Sequence, residues 1–251
     1  MTAGEDHFRS WLAALEARHL KELTFQEVRR ALQALSSLYV QRRTKIKGGA
    51  ALDGAGKRAA FALYFGPLHF LLVQEVVRAL GAERAAPAEI LDLGCGTGVG
   101  GAAWALAAGG RPAVRGVDVN PWAAGEARWT LRQLGLRGDA RPGRAEQAPL
   151  PRPGGAVIAA FTLNEMDEAP RARLLEGLLA AAAGGVRVLV VEPIAGAVSP
   201  WWTVWAGRVA AQGGRHDEWR FPVVLPDLLR RFDRAAGLDH GALTARTSWL
   251  G

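Results

Sequence analysis

A single cysteine, Cys95, occurs among 251 residues. One thiol forms no intramolecular disulfide and cannot supply the ligand set of a structural zinc or an iron–sulfur cluster. Its place inside a run of glycines points to a small buried side chain rather than a reactive thiol. Apolar stretches of bilayer length are also missing. Charges, Gly or Pro interrupt each candidate, so no spanning helix is predicted and no membrane partner is expected. Met1 to Leu15 lacks the basic-then-apolar order of a secretory signal, because Glu5, Asp6 and Arg9 are spread among its apolar residues. The expected location is cytoplasmic. The chain shows neither an internal repeat nor a long low-complexity tail.

What is present is an ordinary globular composition, 49% hydrophobic and 22% charged, with a formal net charge of +7. That balance favours an acidic partner such as RNA. A chain biased throughout to Ala, Gly and Arg would show the same charge without one. Two textures divide the sequence. Residues 1–86 read as helical. Phe8, Trp11, Leu12 and Leu15 recur at helical spacing, as do Val28, Leu32, Leu35 and Leu38. Thr24, with Glu27 three residues on, has the form of a capping box before the second run. Arg42, Arg43, Lys45 and Lys47 form a basic run ending at Gly48 and Gly49, read as an exposed loop. Gly56 to Leu80 is again helical, and Pro67 is expected to kink or break it. From residue 87 strands and helices alternate. Strands are predicted at 88–93, 113–119, 156–163, 186–191 and 242–250, with helices at 102–108, 121–134, 171–183, 200–212 and 226–236. Such alternation predicts an α/β fold, a Rossmann-like, doubly wound and mostly parallel sheet with an N-terminal helical extension. The domain boundary falls at residue 87, with 1–86 as a helical cap.

The chemistry concentrates in Ile90-Leu-Asp-Leu-Gly-Cys-Gly-Thr-Gly98. Asp92 stands at the end of the first strand, and Gly94, Gly96 and Gly98 follow at alternate positions. Glycine lets the backbone turn sharply and approach a ligand, and the loop feeds a helix whose N-terminal amides face the crevice. Asp118, at the end of the second strand, is placed to accept from both hydroxyls of a ribose. Together these define a nucleoside-cofactor site. Gly96, Gly98 and Gly101 also fit the dinucleotide pattern of nicotinamide enzymes, which remains an alternative.

Asp92 before the glycines, followed by Val117-Asp-Val-Asn-Pro121, resembles the first and second motifs of class I S-adenosylmethionine-dependent methyltransferases. The resemblance implies S-adenosyl-L-methionine as cofactor. It places Asp92 at the methionine end, and Asp118 on the ribose. Gly94, Cys95, Gly96 and Gly98 would line the cofactor, and Val119 and Asn120 would lie near the adenine. Gly143-Arg-Ala-Glu146 sits where many relatives have Gly-Asp-Ala. Arg144 replaces the acid, leaving Ala145 for backbone contacts and Glu146 as the substitute acceptor. Phe161-Thr-Leu-Asn-Glu-Met166 ends the fourth strand. It contributes Phe161 to the cofactor side and Asn164 and Glu165 to the acceptor side as candidate catalytic residues. Glu165 reads equally as a base, a substrate anchor or a helix cap. The Asn/Asp-Pro-Pro-Tyr/Phe motif of amino-methylating relatives is absent.

Ala34-Leu-Ser-Ser-Leu-Tyr39, Tyr64–Pro67, Phe161–Glu165 and Val191-Glu-Pro193 together resemble the ribosomal small-subunit methyltransferase-like family, over roughly residues 30–195. This implies ribosomal RNA or the small ribosomal subunit as partner. The four-cysteine cluster of the family's mitochondrial forms cannot be built from Cys95 alone. Trp201, Trp202, Trp205 and Trp219 would stack bases, hold an apolar molecule or pack a core. His216, Asp217 and Glu218 read as a surface or loop cluster, and no metal site is expected. Four functions follow from these residues: methylation of ribosomal RNA, methylation of a small metabolite, a non-catalytic assembly factor, and a dehydrogenase.

Overall fold

The computed structural model describes residues 3–41, 52–194 and 199–251. The basic run Arg42, Arg43, Lys45 and Lys47, with Gly48 and Gly49, lies outside the described residues. Seven strands form one sheet in the order β3-β2-β1-β4-β5-β7-β6. They are β1 (Glu89–Leu93), β2 (Ala113–Asp118), β3 (Gly138–Pro142), β4 (Ala156–Ala160), β5 (Arg187–Glu192), β6 (Arg215–Pro222) and β7 (Ala242–Leu250). The first five run parallel, and β7 inserts antiparallel between β5 and β6. This is the expected mostly parallel, doubly wound α/β architecture. Strand order reverses between β1 and β4, which opens a crevice at their carboxyl ends.

β3 and β6 escaped the sequence reading, and both are sheet edges. Gly138-Asp-Ala-Arg-Pro142 buries only Ala140, and β6 buries no residue fully, with Trp219 and Phe221 half-buried among polar neighbours. Edge strands facing water carry no apolar run to betray them. His216, Asp217 and Glu218 therefore belong to a strand, not a loop. His216 Nε2 meets the Ala206 carbonyl at 2.6 Å, and Asp217 pairs with Arg215.

Helices cover both faces. α1 (Ala3–His19) and α2 (Phe25–Gln41) precede α3 (Ala55–Ala60), which continues through a π-helical turn, Phe61–Phe65, into α4 (Gly66–Leu80). Thr24 and Glu27 form the expected reciprocal cap: the Thr24 N–H donates to Glu27 Oε2 (2.8 Å), and the Glu27 N–H to Thr24 Oγ1 (3.3 Å). Pro67 does not break the long helix. The π turn bonds the Gly66 N–H to the Phe61 carbonyl, and the extra residue per turn absorbs the imino ring. The resulting helical run 55–80 is long and apolar enough to cross a membrane, yet most of it is buried in this fold. The interruptions seen in the sequence thus do not interrupt the helix.

α5 (Val99–Ala107), α6 (Pro121–Gln133), α7 (Glu168–Ala183), α8 (Trp202–Ala211) and α9 (Asp227–Ala235) complete the layers. Asn120 caps α6, its Oδ1 accepting from the Trp122 and Ala123 N–H groups, with Pro121 at the first position. One core joins the N-terminal helices to the sheet. Phe8 and Trp11 pack on Phe70, and the same cluster reaches Trp104 and Trp249. Buried Glu126 of α6 accepts from Arg18 and pairs with His19 of α1, which docks that helix beside the cofactor half.

Candidate functional site

A cleft of about 660 Å³ runs along the carboxyl ends of β1, β2, β4 and β5. Its first wall is the loop after β1. Gly94, Gly96 and Gly98 all hold positive φ, at 63°, 51° and 80°, where a side chain is strained. At Gly94 and Gly98 space is short as well. A Cβ on Gly98 would fall 2.9 Å from that of Ala127, and one on Gly94 would run into the Thr162 side chain. Cys95 is buried, and burial pushes its thiol well above the usual range, so it fills space as a small apolar group.

The two strand-end acids are held by backbone. Asp118 Oδ2 accepts from the Gly96 N–H and Oδ1 from the Asn120 N–H, both at 2.8 Å. Each oxygen keeps lone-pair capacity directed at the cleft it lines. Asp92 is buried, and its Oδ2 accepts from the Gly101 N–H at 2.7 Å. Burial raises Asp92 to about 7, against the pull of that hydrogen bond, and the Asp118 charge adds to the rise. Gly101 is required by this packing, because a Cβ there would meet Val114 at 2.6 Å and Asp92 at 3.1 Å. Thr97 Oγ1, between these acids in sequence, is buried, lines the cleft and has no hydrogen-bond partner.

The other expected residues fall along the same cleft. Val119 is 57% exposed at the rim, beside Asn120, Ala145 and Glu146. Arg144, standing where an acid was usual, binds Glu146 at 2.5 Å, so the replacement charge and the substitute acid neutralise one another. The fourth strand ends sooner than its apolar run suggests. Phe161 adopts φ 59°, uncommon for a bulky residue, and turns the chain into a short 3-10 segment at Leu163–Glu165. Strain of this kind concentrates at ligand sites.

Asn164 and Glu165 both line the cleft, but the Asn164 side chain is engaged. Its Nδ2 donates to Glu192 Oε2 (2.6 Å), and its Oδ1 accepts from Ser199 Oγ (2.5 Å) and Trp201 Nε1 (3.0 Å). It therefore braces the loop. Glu192, buried at the end of β5, anchors the same turn by accepting from the Leu163 N–H (2.8 Å). Burial raises Glu192 to about 8. The tryptophans divide similarly. Trp202 and Trp205 are buried, Arg246 lies 4.4 Å over the Trp202 ring, and Trp219 Nε1 donates to Thr247.

Sequence reasoning missed the aromatic side of the cleft. Phe61, Phe65 and His69 line it from the π turn and α4, and the His69 ring stacks on Phe161 at 4.0 Å with an interplanar angle of 17°. Burial drops His69 to about 4, so the imidazole is neutral at ordinary pH. They lie in one apolar helical run, Gly56 to Leu80, where nothing in the sequence marks them off from their neighbours.

Residues 90–185 match the methyltransferase domain family. No curated protein matches the sequence. Among solved structures, the fold is similar to a Nostoc punctiforme PCC 73102 protein described as an O-methyltransferase, with 13% identity, 89% of this chain and 69% of that chain covered, and a TM-score of 0.53. It is also similar to mitomycin 7-O-methyltransferase, with 16% identity, 100% and 76% covered, and a TM-score of 0.51. Residues 90–185, built around the glycine loop, are thus similar to a methyltransferase domain, and the chain shares the fold of these solved structures.

Proposed function

We propose that this chain is an S-adenosylmethionine-dependent methyltransferase whose acceptor is a small molecule. The observation that carries the acceptor class is the cleft itself, which leads from the polar Asp118 end to an aromatic end at Phe61, Phe65 and Phe161. A concave, largely apolar end with few polar groups suits a small molecule better than a polyanion.

The chain's residues fit the donor. Asp118 would hold the two ribose hydroxyls, and Val119, Asn120 and Ala145 would flank the adenine. Bound there, the donor supplies an electrophilic methyl group on a sulfonium. The protein positions the acceptor against it and keeps water out. Asn164 and Glu192 serve by holding the Leu163–Glu165 turn in place.

Methylation of small-subunit ribosomal RNA is the second reading, supported by the net charge of +7. The two separate in one experiment. Purified protein is incubated with methyl-labelled S-adenosylmethionine and a fractionated cell extract. We expect label to accumulate in small molecules that separate chromatographically from S-adenosylmethionine. Label confined to small-subunit ribosomal RNA would overturn the small-molecule reading.

A further inference from the structure

The aromatic end of the cleft is more specific than an apolar hole. Phe61 and Phe65 belong to the π turn, where a four-residue spacing brings both rings to one face. The Phe61 ring packs over the glycine loop, within 3.3 Å of where a Cβ on Gly96 would stand. His69 follows one turn later and lies flat against Phe161. Phe161 precedes Thr162, whose Oγ1 donates to the Leu93 carbonyl (2.9 Å) at the start of the same glycine loop. The ring wall and the cofactor loop are therefore contiguous. A cleft wall built of aromatic rings suits a planar aromatic guest, because ring–ring contact adds about 0.5–1.5 kcal/mol per pair to apolar burial.

One polar group interrupts this wall. Among the described residues His69 makes no hydrogen bond, and only ring contacts with Phe65 and Phe161 are formed. The acids of the cleft floor differ: Asp92, Asp118 and Glu192 each accept from backbone N–H groups. His69 thus offers an unspent nitrogen in an aromatic slot next to the cofactor loop. We propose that this end of the cleft binds a planar aromatic alcohol of the phenol or naphthol class and that His69 accepts the proton of its hydroxyl. This inference rests on the methyltransferase reading and deepens it.

In the step, the hydroxyl proton moves to an imidazole nitrogen of His69. The O–H electron pair remains on oxygen, which takes the methyl group in its place, and the pair of the broken carbon–sulfur bond stays on sulfur. The imidazolium then returns its proton to solvent at the cleft mouth. A base that is neutral at ordinary pH keeps its lone pair available. The acceptor oxygen becomes strongly acidic as its bond to carbon forms, so the proton leaves in the same event.

The test uses 2-naphthol, whose neutral and ionised forms emit at different wavelengths and which is a strong acid in its excited state. Protein saturated with S-adenosylhomocysteine is titrated with 2-naphthol, wild type beside His69→Phe and His69→Gln. His69→Phe keeps the ring wall and removes the base. We expect saturable binding in the wild type with a strong ionised-form band. In His69→Phe that band should fall at least about fivefold while affinity changes less than about threefold. Saturation without an ionised band, an unchanged band in both variants, or no saturable binding would overturn the proposal. Failure of S-adenosylhomocysteine to bind would fall on the methyltransferase reading instead.

Discussion

Asp118→Ala should weaken S-adenosylhomocysteine binding at least 100-fold in a calorimetric titration beside wild type. Both oxygens of this cleft-lining carboxylate accept from backbone N–H groups. The Gly96 and Asn120 N–H groups at 2.8 Å fix its plane, so it needs no reorganisation to receive two hydroxyls. Hydrogen bonds to a charged acceptor contribute about 1.5–3 kcal/mol each. Losing two costs about 3–6 kcal/mol, and each 1.4 kcal/mol is about tenfold in affinity. Removing the side chain also frees the Gly96 N–H, which loosens the loop that must close on the ligand. Asp118→Asn separates these effects. It keeps one acceptor oxygen and the shape, and should fall between the two. Equal affinity in wild type and Asp118→Ala would place the ligand elsewhere.

Gly94→Ala should cost stability as well as binding. The backbone there has φ 63°, where a non-glycine residue costs about 1–2 kcal/mol. The added methyl would also meet Thr162, 2.9 Å from its Cβ and closer to Cγ2 and Oγ1. Overpacking of this kind costs about 1–3 kcal/mol more. A loss of about 2–5 kcal/mol should lower the melting temperature by about 10 °C in a chain of this size. Thr162→Ala divides strain from clash. On its own it loses the bond from Thr162 Oγ1 to the Leu93 carbonyl, worth about 1 kcal/mol. Combined with Gly94→Ala it should be stabilising, because the two substitutions share one volume and their effects cannot add. Additive losses in the pair would show that the tight approach at Gly94 is relieved some other way.

These two positions were legible in the sequence because the chemistry there is local. A glycine loop between a buried strand and a helix, with an acid at each strand end, leaves its signature in consecutive residues. Central strands were legible for a related reason: β1, β4 and β5 are buried on both faces and read as apolar runs. The edges β3 and β6 face water and carry no such run. The end of β4 was misplaced because hydrophobicity continues through Phe161 and Leu163, while the turn depends on one left-handed residue. Asn164 read as a candidate on the acceptor side, and in the fold its side chain is engaged in hydrogen bonds. Its partners Glu192, Ser199 and Trp201 come from later in the chain and meet it only in the fold. The aromatic wall was hidden most thoroughly. Phe61, Phe65 and His69 belong to one apolar helical run, and their place on the cleft is set by how that run packs in the fold.

The central claim is that the cleft at the carboxyl ends of β1, β2 and β4 binds the methyl donor. The most direct measurement is calorimetric titration of the wild-type chain with S-adenosylmethionine and S-adenosylhomocysteine, with NAD as the competing nucleotide. The account predicts one saturable site per chain for both sulfur compounds and none for NAD. Binding of NAD with no response to either sulfur compound would contradict it and return the glycine loop to the dinucleotide reading.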